Sequence, residues 1–160
     1  MNNVARWSFR FLFLSAVTAS LIFSLFNEGT LAVEPQASKP ARDTSMPTVT
    51  VEVDPSANDG IITSSDGRVR VTVPKGATNE PLRLELTALK GSGDGYWRIT
   101  RAFEINAYAR TRGDAKVSQF ARDVEFRWNF SDAEIAGLET RSLRMFYFDE
   151  ATGQWVTLTS

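Results

Sequence analysis

The sequence contains no cysteine and no histidine. These two absences exclude disulfides, a lipid-bearing cysteine, Cys/His zinc sites and any nucleophilic site that depends on a Ser-His-Asp or Cys-His relay. Carboxylates, lysine, tyrosine and the Ser/Thr hydroxyls are all that remain for catalysis. Net charge is also lacking: the formal value is -1 over 160 residues. No field of one sign steers the chain toward nucleic acid or an anionic membrane face, and no nucleic-acid partner is expected. No motif calls for a cofactor. The length suits one domain with a core of its own rather than two large ones.

Charge and turn residues are scarce at the N-terminus. Arg6 and Arg10 precede Phe11 to Phe26, "FLFLSAVTASLIFSLF", whose only polar members are small hydroxyls, and "TLA" at Thr30, Leu31 and Ala32 offers small residues where a signal peptidase reads. Residues 1–32 are therefore expected to form a hydrophobic signal helix, cleaved after Ala32. The alternative is an uncleaved anchor, the one route by which this chain would meet a membrane. Sixteen residues at about 1.5 Å each reach roughly 24 Å, short of a hydrocarbon core of roughly 30 Å, which favours cleavage. Residues 33–47, "VEPQASKPARDTSMP", carry three prolines and both signs of charge with little to bury, the composition of a disordered linker.

From Thr48 onward the period becomes two. Val49, Val51 and Val53 share one face of "TVTVEV", Val69, Val71 and Val73 one face of "RVRVTV", and Leu82, Leu84 and Leu86 one face of "LRLELTAL". Phe103, Ile105 and Ala107 alternate in the same way, as do Val124, Phe126, Trp128 and Phe130. This is the pattern of half-buried antiparallel strands. "LRMFYFD" is apolar on both faces, and "QWVTL" follows it. Turn clusters separate the runs: "DPSANDG", "SSDG", "PKGATNEP", "KGSGDG" and "TRGDAK". The expected fold is all-β, an antiparallel β-sandwich of seven or eight short strands over residues 48–160. One short helix interrupts it at "SDAEIAGL", with Ser131 as N-cap, Glu134 completing a capping box, and Ile135 and Leu138 placed to cover one end of the core.

Gly60, Gly67, Pro74 and Gly76 punctuate the first hairpins, and Gly153 the last one. Gly67 after Asp66 suits a turn with positive φ, Pro74 ends a ladder by removing an N–H donor, and Gly153 suits the positive φ of a bulge. These positions read as fold-defining.

The stretch "DGIITSSDGRVRVTVPKGAT", Asp59 to Thr78, resembles the opening of the sandwich domain shared by zonula occludens proteins, ankyrins and netrin receptors. That domain is found in simpler form in bacterial surface proteins, and Gly60, Gly67, Val73, Pro74, Gly76 and Ala77 are the matching positions. "SDAEIAGLETRSLRMFYFDEATGQWVTL" is similar to the helix, aromatic strand and Trp-bearing hairpin of the bacterial forms. The resemblance spans roughly Gly60 to Leu158 and implies the sandwich, here lacking its last strands. Some family members cleave themselves at a His-Phe-Ser step; with no histidine in the chain, that activity is not implied here.

Local motifs have plainer readings. "DPSANDG" resembles the start of a calcium loop, but its Gly comes one place late and the twelfth position is Ser65 rather than Glu, so an Asx-rich turn is expected and no metal site. "RGD" at Arg112 to Asp114 reads as hairpin chemistry rather than an adhesion motif. The sequon at Asn129 is a three-letter match. Asp123 and Glu125 share a strand face, the spacing of a glycosidase-like pair, with Arg127 placed to neutralise them. Tyr96, Trp97, Phe146, Phe148 and Trp155 are the candidate binding surface, a stacking platform for a glycan if the rings are open and core filling if they are not.

The function these features lead us to expect is a non-catalytic binding or spacer module, secreted or held at the cell surface. The alternative is a fragment of a larger surface protein that acts through downstream residues, and third a glycan-active enzyme working through carboxylates. A protein partner or the continuing chain is expected on the C-terminal edge strand.

Overall fold

The computed structural model describes residues 3–9, 19–25, 40–90, 98–135, 143–149 and 152–158. Among the described residues eleven strands run in the order β1 (Asn3–Phe9), β2 (Ala19–Leu25), β3 (Val49–Val53), β4 (Gly60–Thr63), β5 (Val69–Val73), β6 (Leu82–Leu89), β7 (Arg98–Ala109), β8 (Ala115–Lys116), β9 (Val124–Phe130), β10 (Leu143–Asp149) and β11 (Gln154–Leu158). They form two sheets, one ordered β1-β9-β5-β4 and the other β11-β10-β2-β7-β6-β3, with β8 added to β7. Every pairing is antiparallel. The chain is all-β.

The alternation seen in the sequence builds a common core for the two sheets. Val71, Val73, Phe126 and Trp128 of the four-stranded sheet join Leu82, Leu84, Phe103 and Tyr147 of the seven-stranded sheet in one buried cluster. Burying each such side chain stabilises the fold by about 1.5–3 kcal/mol. Trp128 links the layers: its ring meets Phe103 edge-on at 5.1 Å and stacks at 5.6 Å on Phe130, two residues along β9. A cavity of about 20 Å³ lies beside these rings, lined by Val69, Val71, Leu86, Phe103, Met145 and their neighbours. Its lining is almost wholly apolar, and it reads as a packing gap in the core.

Two glycines show what the tight corners require. Gly76 follows Pro74 at φ 79°, and its N–H donates to the Pro55 carbonyl at 2.7 Å. Gly60 opens β4, and a Cβ there would lie 2.8 Å from the Val53 side chain, so its role is to admit β3 at close range. Gly67 and Gly153 also take positive φ. At Gly67 the turn is knitted by Asp66, which accepts from the Arg68 N–H, and by Ser64 Oγ, which accepts from the Val69 N–H. Pro74 directly follows the last residue of β5.

The N-terminal third departs from the sequence reading in two places. Where a signal helix was expected, the structure has β1 on the edge of one sheet and β2 inside the other, antiparallel to both β7 and β10. For β2 the physical reason is that a short, mainly apolar stretch such as "ASLIFSL" fits a central strand as well as it fits a helix, and periodicity alone does not tell the two apart. The expected cleavage point at Ala32 lies outside the described residues, as does 33–39 of the expected linker.

The rest of that linker is not loose. Arg42 bridges Leu89, the Asp43 N–H donates to Ala88 at 2.9 Å, and the Lys90 N–H donates to Ala41 at 2.7 Å. β3 pairs with β6 only as far as Leu86. The backbone beyond Leu86 still needs partners, and residues 41–43 supply them. A single helical turn, α1 (Asp132–Ile135), follows Ser131; Leu138 lies outside the described residues.

Candidate functional site

The outer face of the seven-stranded sheet, turned away from the shared core, carries most of the chemistry. Leu82, Leu84 and Leu86 of β6 point inward, so Arg83, Glu85, Thr87 and Leu89 take the outer face. On β7 the outer positions are Ala102, Glu104, Asn106 and Tyr108, and on β3 they are Thr50 and Glu52. Registration aligns Glu52, Arg83, Tyr108 and Lys116 in one row across four strands.

That row anchors an ion-pair network. The Arg83 guanidinium lies 4.4 Å above the Tyr108 ring, pairs with Glu85, and reaches Asp114 at 3.3 Å. Arg110 bridges Glu52 at 3.1 Å and Asp114 at 2.8 Å. Arg112 holds Glu80 through Nη2 at 2.6 Å and Nε at 2.9 Å, and the Thr111 hydroxyl donates to the same carboxylate. The backbone makes this possible by turning sharply. A 3₁₀ turn at Arg110–Arg112 is followed by Gly113 and Asp114, both with φ near 60°.

The charges of "RGD" are therefore held within the molecule, by Glu80 on one side and by Arg83 and Arg110 on the other. The hydrogen bond from Arg112, followed by that from Thr111, holds the Glu80 carboxyl below the usual carboxylate range. The hydrogen bond from Arg110 does the same for Asp114. Burial, followed by Glu85, pushes the Tyr108 phenol up. Carboxylates kept ionised and phenols kept neutral are poor proton shuttles near pH 7.

The other acidic candidates are similarly engaged. Glu125 accepts from Arg127 at 3.2 Å on the four-stranded sheet. In "DPSANDG", Asp54 accepts from the Ser56 N–H and Oγ, while Asp59 accepts from the Lys75 N–H at 2.7 Å. Both are turn contacts. Among the described residues no group of three or more acidic, His or Cys side chains gathers to hold a metal.

The aromatic candidates separate. Tyr96 and Trp97 lie outside the described residues. Phe146, Phe148 and Trp155 share the outer face of β10 and β11, and Phe148 packs against Trp155 at 4.9 Å between ring centres. They do not make an open platform: Phe146 is 5% and Trp155 2% exposed, in a second apolar cluster with Leu89 and Ala102, and Phe148 is half-buried against it. Of the two expectations for these three rings, the covered one holds; β10 is apolar on both faces, and periodicity cannot tell a covered outer face from an open one.

What sequence reasoning missed is the place of β2. Its backbone registers Leu21 opposite Phe103 and Tyr147, and Ile22 opposite Ala102 and Phe146. It thus stands in line with the shared core on one face and with the second cluster on the other. The signal for it is "ASLIFSL", a β-compatible apolar stretch inside the segment that also has the features of an export signal. Among the described residues no helix is long and apolar enough to cross a membrane. No family model, curated protein or solved structure matches the chain.

Proposed function

We propose that this protein is an exported, non-catalytic binding or spacer module, an antiparallel β-sandwich of the bacterial surface type, secreted or held at the cell surface. The observation that carries this reading is the ion-paired outer face. Its carboxylates are fixed by arginines on neighbouring strands and turns, which favours a rigid presenting surface over acid–base chemistry. The N-terminal charge, the apolar run and the small residues before Val33 support export. Fractionating cells that express the full chain and weighing the exported product tests the reading. A mature mass starting at Val33 is expected; a full-length protein confined to the cytoplasm refutes it.

A second reading has a specific observation in its favour. Among the described residues β11 pairs only with β10 and ends the order of its sheet, so its outer backbone suits a further strand from a continuing chain or a protein partner. Reading the coding sequence past codon 160 tests this. Another in-frame strand pair supports a larger surface protein, and an immediate stop leaves only the partner. A glycan-active enzyme is the third reading, and the Arg127–Glu125 pair weighs against it.

A further inference from the structure

We infer that export opens a strand-wide slot between β7 and β10, and that the mature protein fills it with an extended apolar segment of another polypeptide, antiparallel to both strands. The inference rests on the export reading above, in which residues 1–32 are removed.

The sheet order supplies the argument. β1 sits on the edge of the four-stranded sheet, so its loss only moves that edge to β9. β2 is different, because among the described residues it is the sole strand joining β10-β11 to β7-β6-β3. Its removal leaves the facing backbones of β7 and β10 without their ladder, over Arg98–Ile105 on one side and Leu143–Phe148 on the other. Unpaired backbone in an otherwise buried sheet is costly, about 1–3 kcal/mol for each orphaned group. At its centre the slot is apolar on both faces: Phe103 and Tyr147 flank it toward the core and Ala102 and Phe146 on the outer side, all four buried with β2 in place, while Arg98, Arg101 and Glu104 of β7 and Arg144 of β10 also border it.

These features define the occupant. It is about seven residues long, the length of β2, and its backbone donates and accepts on both edges. The residues in register with Phe103 and Tyr147, and with Met145, are expected to be large and apolar, and the one in register with Ala102 and Phe146 small or apolar. This is strand addition into a gap, with main-chain hydrogen bonds giving affinity and the two apolar rows giving register.

The test uses the protein recovered from the exported fraction, its N-terminus read by mass, and a synthetic peptide of Ala19–Leu25 flanked by lysines for solubility. The mature protein is expected to bind the peptide one to one at a Kd below about 100 µM. A hundredfold excess over Kd should raise Tm by about 10 °C, with amide exchange slowed at least tenfold at Ala102–Ile105 and Met145–Phe148. A peptide carrying Leu21→Ser and Phe23→Ser should not bind, and neither should the full-length chain whose cleavage is blocked by Ala32→Tyr, since its own β2 holds the slot. If the mature chain fails to fold alone, refolding it with the peptide should yield the folded complex, and failure there overturns the inference. A correctly cleaved, folded protein that ignores the peptide overturns the inference and leaves the export reading standing. An exported protein that keeps residues 1–32 overturns the inference and leaves export standing, with the N-terminal segment as an anchor; a full-length protein confined to the cytoplasm overturns both.

Discussion

Along β6 and β7 the outer face of one sheet changes its means of cohesion. At the β8 end, Arg83, Glu85 and Tyr108 are joined to Glu52, Arg110 and Asp114 by ion pairs and a cation–π contact. At the other end of the same strands, Leu89 and Ala102 join Phe146 and Trp155 in a buried cluster. Thr87 marks the transition, buried yet hydrogen-bonded through its hydroxyl to Thr48 at 3.0 Å. The charged end is partly exposed, with Arg110 and Arg112 about half accessible. Exposed pairs of this kind are screened by water and salt and contribute little individually. The apolar end has left water, and that is where the stability should reside.

Truncation on the apolar end is the strongest way to break this comparison. Trp155→Ala should destabilise the protein by about 3–5 kcal/mol, and Phe146→Ala by a similar amount, because each deletes a buried ring and leaves a void. Phe148→Ala should cost less, since that ring is half-buried. Urea denaturation measures all three. A loss under about 1 kcal/mol for Trp155→Ala would show that the cluster is not a packed unit.

The two ends were not equally legible in the sequence. The strands β3, β5 and β9 and the first half of β6 follow from strict alternation, because each has one face on the shared core and polar side chains on the other. β10 carries apolar residues on both faces and loses that signature, so its sequence fits an open platform and a covered face equally, and β2 lies within a longer apolar run that also has the features of an export segment. The ion-pair network was hidden for a different reason. Glu80 meets Arg112 across 32 residues and Arg83 meets Asp114 across 31, separations that only the hairpin geometry brings together. Residues 41–43 looked like linker because their contacts to β6 are made by backbone, which composition does not report.

A milder perturbation sharpens the comparison from the charged side. Arg83→Ala removes the cation–π contact with Tyr108 together with the pairs to Glu85 and Asp114, and should cost about 1 kcal/mol. Arg83→Lys keeps the charge but not the planar fork, and should recover less than half of that loss. Repeating the urea titrations near 1 M NaCl separates the two ends further. The Arg83→Ala penalty should shrink with salt, whereas the Trp155→Ala penalty should not.

The smallest expected effect is the most diagnostic, because it gives the two ends different pH dependence. Glu80 and Asp114 have carboxyl groups held below their ordinary values by Arg112 and Arg110. A depressed folded-state value stabilises the fold at any pH above the unfolded value of about 4. That contribution is lost as pH falls through the lowered folded value, so the urea midpoint should drop on acidification through this window. Arg112→Ala removes the principal cause of the Glu80 shift and should flatten that acid slope. The variant and the parent should converge at the lowest pH, where both carboxyls are protonated in either state. Trp155→Ala, by contrast, should displace the whole curve downward and leave its slope unchanged. If Arg112→Ala keeps the parent slope, the pairing with Glu80 adds nothing in solution, and cohesion at the charged end must come from the Arg83–Tyr108 contact and the strand ladder beneath it.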